Sequence, residues 1–422
     1  MVAEILAVGT ELLMGQIANT NAQYITARLQ EVGVDVYFHS VVGDNPKRLK
    51  ASLSQALSRS DIVIMTGGLG PTKDDLTKET VAELFGKKLV PHQESVDSIR
   101  NFFARVGREI TLNNLKQADM PEDCIVLKNN NGTAPGCLLS SPLGTVVMLP
   151  GPPSEMKPMF DENVIPWLLK DARNKIYSKY VKVFGIGESK LEDMLLDLIE
   201  AQTNPTVAPY VKDGVVTIRV TANCATDAEG QQLVKPIIDQ IIARTHDAVF
   251  SIEDESMAEV VVKQLKKHKL KISFAESCTG GLLASSVVDI PGASDVFERG
   301  YITYSNQAKI EELGVTTDAL EDFGAVSEQV ALQMANGAFA KSNADIAVSV
   351  TGIAGPDGGT PEKPVGLVYI GFKTKKAEWV VRLNFWGNRQ RIQHMAVLSA
   401  LDGVRTYLKK ELMEIIDKQN IL

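Results

Sequence analysis

Short apolar runs alternate with amphipathic helical patterns from the first residue, and this alternation restricts the fold more than any other feature of the chain. The runs EILAVG, VDVYFHSVV and DIVIM are separated by NTNAQYITARLQEVG and NPKRLKASLSQALSRS. This order is typical of a mostly parallel sheet with helices on both faces. Asn45 before Pro46 predicts where the second helix starts, because asparagine is a good N-cap and proline suits the first helical turn.

The chain is too long for one ordinary core, since it has 422 residues. Between about residues 177 and 250 the pattern becomes β-α-β-β-α-β, which predicts a small split βαβ module. Ser256 and Glu259 then form a capping box that opens another helix. We therefore expect a multidomain α/β protein with an α+β middle domain, divided into residues 1–170, 177–251 and 256–415.

Composition and charge exclude several classes of protein. Lys and Arg number 44 against 52 Asp and Glu, and the net charge of −8 argues against a general affinity for nucleic acid or anionic membrane. No run approaches the roughly 20 apolar residues that a membrane span needs. The four cysteines form no CxxC pair, and the N-terminus has no basic leader, so we expect a cytoplasmic protein. The apolar edges of the middle domain lead us to expect a homodimer.

The first candidate site is the stretch TGGLGPTKDDLT, directly after the strand DIVIM. Its glycines let a ligand approach the backbone, and a helix from Thr77 would offer N–H groups to an anion. Asp74 and Asp75 suit a magnesium ion held against phosphate oxygens. A tight strand-to-helix turn capped by aspartates fits the pattern equally well, so both interpretations stay open. The glycines are Gly67, Gly68 and Gly70.

Three further polar or glycine-rich stretches could line the same pocket. They are GTELL, VGDN with Asp44, and NGTAPGC with Gly136. Each adjoins an apolar run, and strand ends in an α/β sheet converge on one edge, where ligands bind.

The second candidate site is FAESCTGG at residues 274–281, where Ser277 and Cys278 stand side by side. The stretch predicts a sharp turn from the strand KISFA into a helix at 279–289. N–H groups at the start of that helix would form an oxyanion hole behind Ser277. They belong to Thr279, Gly280 and Gly281.

No histidine lies in this motif, so a serine nucleophile needs another base. In a Ser-Lys arrangement a desolvated lysine accepts the hydroxyl proton, and Lys309, close behind Tyr304 and Asn306, is the candidate. Cys278 has no positive neighbour in the motif and is interpreted as a packing residue. The glycine-rich stretch SVTGIAGPDGG, with Gly352 and Gly355, would form a second ligand loop.

These motifs resemble one family, that of the competence-damage-inducible protein CinA, over essentially the whole chain. The resemblance is carried by GGLGPTKDDLT with LPGPPSEM, by AESCTGG with FERGYITYSN, and by SVTGIAGPDGGTPEKPVG. It implies an N-terminal molybdopterin-binding-like domain, a KH-type middle domain and a CinA-type α/β/α C-terminal domain. The middle part lacks the GxxG loop that grips a nucleic-acid backbone, so we do not infer RNA binding.

For the N-terminal domain the resemblance implies a metal-dependent hydrolase. Molybdenum-cofactor enzymes commonly read GGTG in the glycine loop, whereas this chain has Leu69 in place of the threonine. Members built like this chain are associated with hydrolysis of ADP-ribose to AMP and ribose 5-phosphate. The implied cofactor is a divalent ion such as Mg²⁺, bound by Asp75 with Asp44 or Asp74.

For the C-terminal domain the resemblance is to nicotinamide-nucleotide amidohydrolase. That enzyme converts nicotinamide mononucleotide to nicotinate mononucleotide and ammonia without a cofactor. The resemblance implies Ser277 as nucleophile, Tyr304 and Lys309 as its activators, Thr351 in the lining and Arg391 on the phosphate. The alternative is a scaffold protein that binds a nucleotide or pterin and acts through partners in competence or recombination; it predicts no product from either substrate.

Overall fold

The computed structural model describes residues 1–170 and 175–419. The chain divides into two compact units, Met1–Tyr177 with Asn223–Gln231 and Ser178–Ala222 with Gln232–Leu422. The three domain boundaries and the homodimer expected from the sequence stay predictions. No helix in the described part of the chain combines the length and apolar character of a membrane span.

The first unit contains a six-stranded sheet in the order β2-β1-β3-β8-β7-β6. Strand β1 pairs in parallel with β2 and β3, and β3 pairs in parallel with β8, whereas β7 and β6 are antiparallel. The mostly parallel sheet predicted from the alternation is therefore confirmed. The strands of this unit, including the separate pair β4 and β5, are β1 (Val2–Val8), β2 (Asp35–Val42), β3 (Ile62–Thr66), β4 (Leu89–Pro91), β5 (Asp119–Pro121), β6 (Ile125–Leu127), β7 (Gly136–Ser141) and β8 (Gly144–Leu149).

Helices cover both faces of this sheet because successive residues of β1 point to opposite sides. Ile5 packs with Ile25 of α2, and Leu6 packs with Leu53 of α3. The predicted cap of α3 is confirmed, since the Asn45 side chain accepts a hydrogen bond from the backbone of Arg48. A π-helical turn joins the last two helices. The helices are α1 (Thr10–Leu13), α2 (Thr20–Glu31), α3 (Pro46–Leu57), α4 (Thr77–Leu84), α5 (Gln93–Arg105), α6 (Leu112–Lys116), α7 (Pro153–Met159) and α8 (Ile165–Leu169).

A four-stranded sheet follows, in the order β10-β11-β9-β12. Strand β10 pairs antiparallel with β11, and β12 pairs antiparallel with β9. The predicted order β-α-β-β-α-β is confirmed along the chain. Its elements are β9 (Lys175–Val183), α9 (Glu188–Glu200), β10 (Thr206–Lys212), β11 (Val215–Cys224), α10 (Asp227–Thr245) and β12 (Val249–Ser251).

The last sheet has five strands in the order β14-β13-β15-β16-β17, with β13 parallel to both neighbours. Phe274 of β13 shares a core with Ile392 of α16, and the next residue, Ala275, shares one with Leu313 of α13. Helices α16 and α13 therefore cover opposite faces. The elements are α11 (Met257–His268), β13 (Ile272–Glu276), α12 (Leu282–Val288), β14 (Phe297–Ile302), α13 (Asn306–Leu313), α14 (Thr317–Phe323), α15 (Glu328–Ala340), β15 (Ile346–Gly352), β16 (Leu367–Thr374), β17 (Glu378–Asn384) and α16 (Arg389–Gln419).

Candidate functional site

Ser277 directly follows the carboxyl end of β13, where the chain turns toward α12. Its backbone N–H donates to the carbonyl of Val350 on β15 at 2.9 Å, so the parallel pairing of the two strands continues to the serine. The carboxyl ends of parallel strands are where α/β sheets bind ligands. The predicted position of Ser277 on a strand-to-helix elbow is confirmed.

Lys309 reaches this serine directly from α13. Its Nζ lies 3.0 Å from Ser277 Oγ, 2.7 Å from the Thr303 carbonyl and 3.1 Å from the Tyr304 carbonyl. The lysine is only 1% exposed, and its burial lowers the pKa of the ammonium group to about 8. A neutral amine has two N–H bonds, which the two carbonyls accept, so its lone pair is left for the serine hydroxyl.

Cys278, the other thiol or hydroxyl of the motif, is a packing residue. It is 5% exposed, belongs to the core under α16, and its burial raises the thiol pKa to about 12. A thiol with so high a pKa carries almost no thiolate at neutral pH. The interpretation of Cys278 as a small buried hydrophobe is confirmed.

An arginine that the sequence analysis did not select contacts two residues predicted for this site. Arg389 donates from Nη2 to the Tyr304 hydroxyl at 3.2 Å and from Nη1 to the Gly355 carbonyl at 2.8 Å. The predicted Arg391 instead lies over the exposed ring of Trp386, 4.2 Å from its centroid. Both arginines lie in the first turn of α16, so only the placement of their side chains separates them.

The Tyr304 side chain does not lie between the lysine and the serine. It is 62% exposed and contacts Arg389, and what reaches Lys309 is its backbone carbonyl. Thr351 is fully buried beside the elbow, and its hydroxyl donates to the Ala325 carbonyl at 2.8 Å. Asn306 is exposed at the start of α13.

The carboxylate of Glu276 holds the turn that follows the serine, and the sequence analysis missed this role. It accepts hydrogen bonds from the backbone N–H groups of Gly281 and Leu283 at 3.0 Å each, and of Ala284 at 2.8 Å. The glutamate is 1% exposed. A buried carboxylate at the start of a helix satisfies N–H groups that have no intrahelical acceptor.

The N–H groups available to an oxyanion differ from those expected. Gly280 donates to the Ser277 carbonyl at 3.1 Å, and Gly281 donates to Glu276, so neither N–H group is free. Both glycines have positive φ angles, 60° and 102°, which the tight turn requires. Within the described residues, the backbone N–H groups of Cys278 and Thr279 donate to no other residue.

The glycine loop of the first unit, the first candidate site of the sequence analysis, surrounds a cleft of about 500 Å³. Gly67, Gly68 and Gly70 all line it, and a Cβ on Gly67 would lie 2.1 Å from the Val8 carbonyl oxygen. The described residues that line the cleft include no lysine, arginine or histidine. Its charged side chains are all carboxylates, namely Glu11, Asp44, Asp74, Asp75 and Glu155.

Two of the predicted metal ligands are held in place by threonines. Asp75 Oδ2 accepts hydrogen bonds from the Thr72 backbone N–H group at 2.9 Å and from the Thr72 hydroxyl at 2.5 Å. Asp44 Oδ2 accepts hydrogen bonds from the Thr10 backbone N–H group at 3.0 Å and from the Thr10 hydroxyl at 2.8 Å. No group of three or more His, Cys, Asp or Glu side chains converges in the part of the chain described. Mg²⁺ is commonly held by one or two carboxylates together with water and substrate phosphates, so the donor set fits an ion that arrives with its substrate.

Two other predicted ligand-binding residues of this unit have structural contacts instead. The Thr77 hydroxyl donates to the Gly67 carbonyl at 2.9 Å and closes the glycine loop. Gly136 lies within β7 and not in the cleft lining, and a Cβ there would lie 2.6 Å from the Met148 carbonyl oxygen. Its place at the cleft is taken by Thr133 and Ala134 from the same loop.

Comparison with known proteins places this chain in one family. A protein of Acetivibrio thermocellus described as a competence-damage inducible protein is 55% identical over 410 residues, which are 97% of this chain and 99% of that protein. The chain belongs to the CinA family. A CinA-like protein of Dictyoglomus thermophilum is 49% identical over 405 residues, covering 96% of this chain and 98% of that protein.

Three segments of this CinA-family chain match described domains. Residues 4–170 match the probable molybdopterin binding domain, 178–251 the damage-inducible protein CinA KH domain and 254–408 the CinA C-terminal domain. The crystal structure of the competence/damage inducible protein CihA from Agrobacterium tumefaciens covers 36% of this chain and 93% of its own, at 44% identity and a TM-score of 0.36. The acidic cleft and the Ser277–Lys309 pair thus belong to different domains of the family.

Proposed function

We propose that the C-terminal domain is a serine-lysine amidohydrolase that deamidates nicotinamide mononucleotide. The observation that carries the proposal is the contact between Lys309 Nζ and Ser277 Oγ, with two backbone carbonyls on the same amine. A buried lysine with a lowered pKa is a competent base near neutral pH, as a catalytic amine must be. The choice of substrate rests on the resemblance to nicotinamide-nucleotide amidohydrolase.

In the first half of the reaction, Ser277 Oγ attacks the carboxamide carbon while its proton passes to Lys309 Nζ. The carbonyl oxygen becomes an oxyanion, which the N–H groups of Cys278 and Thr279 would stabilise. Lys309 returns the proton to the leaving nitrogen, the C–N bond breaks, and ammonia leaves an ester on Ser277.

In the second half, water attacks this ester and gives a proton to the neutral Lys309. The tetrahedral intermediate collapses, the bond from the carbonyl carbon to Ser277 Oγ breaks, and the proton returns to the serine. The product is nicotinate mononucleotide, and the enzyme is restored without a cofactor.

Arg389 is the residue we assign to the nucleotide phosphate. Its guanidinium group contacts two residues predicted for the site, Tyr304 and Gly355, and arginine is well suited to bind a phosphate with two parallel hydrogen bonds. Because the Tyr304 hydroxyl accepts a hydrogen bond from this arginine, the tyrosine side chain would orient Arg389 toward the phosphate and would take no part in the proton transfer.

An ammonia assay with nicotinamide mononucleotide tests the proposal. The purified full-length chain should release ammonia and nicotinate mononucleotide in equal amounts. Ser277→Ala, with Cys278 left in place, should abolish formation of both products. The buried thiol cannot replace the serine as nucleophile. Undiminished turnover in Ser277→Ala would exclude the serine as nucleophile.

The N-terminal cleft supports a second activity, the metal-dependent hydrolysis of ADP-ribose to AMP and ribose 5-phosphate. A cleft whose charged side chains are all carboxylates repels a pyrophosphate unless divalent cations accompany it. Asp75 and Asp44, with Asp74 nearby, would hold the ion, which supplies Lewis-acid polarisation of the pyrophosphate. Incubation with ADP-ribose and Mg²⁺ should yield AMP. A scaffold protein would form no product here or with nicotinamide mononucleotide.

A further inference from the structure

The orientation of one peptide group at the elbow determines whether an oxyanion hole exists. The carbonyl oxygen of Cys278 and the N–H group of Thr279 belong to the same peptide unit. In a trans peptide these two groups point in opposite directions. Whatever holds the Cys278 carbonyl therefore also directs the Thr279 N–H group.

A side chain far away in the sequence holds that carbonyl. Gln393 Nε2, on α16, donates to the Cys278 carbonyl oxygen at 2.7 Å. Helix α16 covers one face of the sheet, whereas α13, which carries Lys309, covers the other. The Thr279 N–H group is thus directed away from Gln393 and toward the side on which the lysine reaches Ser277.

The neighbouring peptide is fixed by the main chain alone. The Ser277 carbonyl oxygen accepts a hydrogen bond from the Gly280 N–H group at 3.1 Å. This bond fixes the peptide between Ser277 and Cys278 and so directs the Cys278 N–H group. The peptide between Cys278 and Thr279 has no such main-chain partner in the described residues. If it rotated by half a turn, a carbonyl oxygen would replace an N–H donor and repel the oxyanion.

We infer that Gln393 is a positioning residue that keeps the oxyanion hole formed by holding the Cys278 carbonyl away from it. The inference rests on the proposed role of Ser277 as nucleophile. It assigns Gln393 a function exerted through the backbone, without contact with the substrate. Its loss should weaken stabilisation of the transition state and leave substrate binding unchanged.

Two variants test the inference. Gln393→Leu removes the donor at similar volume, and Gln393→Glu replaces it with an acceptor that repels the carbonyl. For nicotinamide mononucleotide we expect kcat to fall about tenfold or more, since loss of one oxyanion donor costs about a hundredfold or more. KM should stay within about twofold, and in the uncharged variant Gln393→Leu the pH dependence due to Lys309 should be unchanged. Gln390→Ala, at an exposed glutamine of the same helix, is the matched control and should behave as wild type.

A fluorophosphonate separates this inference from the proposed substrate. The reagent phosphonylates a nucleophilic serine, with fluoride as the leaving group, and places its phosphoryl oxygen in the oxyanion hole. Ser277 should therefore be labelled about tenfold more slowly in both Gln393 variants. Labelling at wild-type Ser277 without ammonia release would refute the proposed substrate only. The inference would be overturned if both variants kept the labelling rate and the kcat of the unmodified protein. It would also be overturned if Ser277 of the unmodified protein were not labelled at all.

Discussion

Lys309 Nζ lies 3.0 Å from Ser277 Oγ, across 32 residues of sequence, and no side chain stands between them. Burial has lowered the pKa of the lysine to about 8, which brings its neutral form within the physiological range. The pair is therefore a nucleophile with its base already in contact.

Deamidation should increase with pH. The neutral amine is the active form, and it is protonated below its pKa of about 8, so kcat/KM should fall about tenfold per pH unit in acid and level off above that value. A pH profile measured with nicotinamide mononucleotide checks this expectation. A flat profile between pH 6 and 9 would argue against Lys309 as the base.

Removal of the lysine amine should remove the activity. Lys309→Met should lower kcat/KM at least about a hundredfold, the usual contribution of a general base. Lys341→Met is the matched control, because Lys341 is exposed and its ammonium group donates only to the Glu311 carbonyl in the described structure. An equal loss of kcat/KM in both variants would mean that the loss does not depend on the Lys309 amine at the site.

The two arginines at the start of α16 should differ in substrate binding. Arg389→Ala should raise KM for nicotinamide mononucleotide about tenfold or more, because a charge-assisted contact with the phosphate is lost. Arg391→Ala, which removes only a contact with Trp386, should change KM less than about threefold. Arg389→Ala should not change KM for nicotinamide riboside, which lacks the phosphate. The opposite ranking of the two arginines would restore Arg391 as the phosphate ligand.

Loss of the Glu276 carboxylate should destabilise the protein as well as reduce deamidation. In Glu276→Gln an amide N–H group would face a backbone N–H group, and one buried donor would lose its acceptor at a cost of about 1–3 kcal/mol. The midpoint of urea unfolding measures this cost. Glu321→Gln, at an exposed glutamate of α14, should leave both the midpoint and the activity unchanged.

Hydrolysis of ADP-ribose in the acidic cleft should require a metal ion, whereas deamidation at Ser277 should not. Asp75→Asn should stop AMP formation from ADP-ribose, because an amide is a poorer ligand than a carboxylate, and should spare ammonia release. A chelator should have the same selective effect on the unmodified protein. Asp97→Asn, on α5 outside the cleft lining, is the control. Parallel loss of both activities would mean that the two sites are not separable.

Local patterns predicted the helix starts well, because a capping side chain and the backbone N–H group that donates to it lie three residues apart. Asn45 caps α3, and Ser256 with Glu259 forms the capping box of α11, both as expected. The helix after Ser277 was expected from residue 279 but begins at Leu282. The difference arises because Glu276 binds the turn from inside the core, and burial is not visible in a short stretch of sequence.

The sequence by itself determined the alternating α/β fold and the elbow at Ser277, because periodicity and turns are local properties. It offered Lys309 as a candidate base, and the tertiary structure placed that lysine against the serine. The resemblance supplied the chemistry expected of them. Only the tertiary structure decided which arginine faces the site, which N–H groups are free, and that Gln393 reaches the Cys278 carbonyl 115 positions away. These relationships depend on packing between distant elements, where differences of a few ångströms separate a ligand-binding group from a structural one.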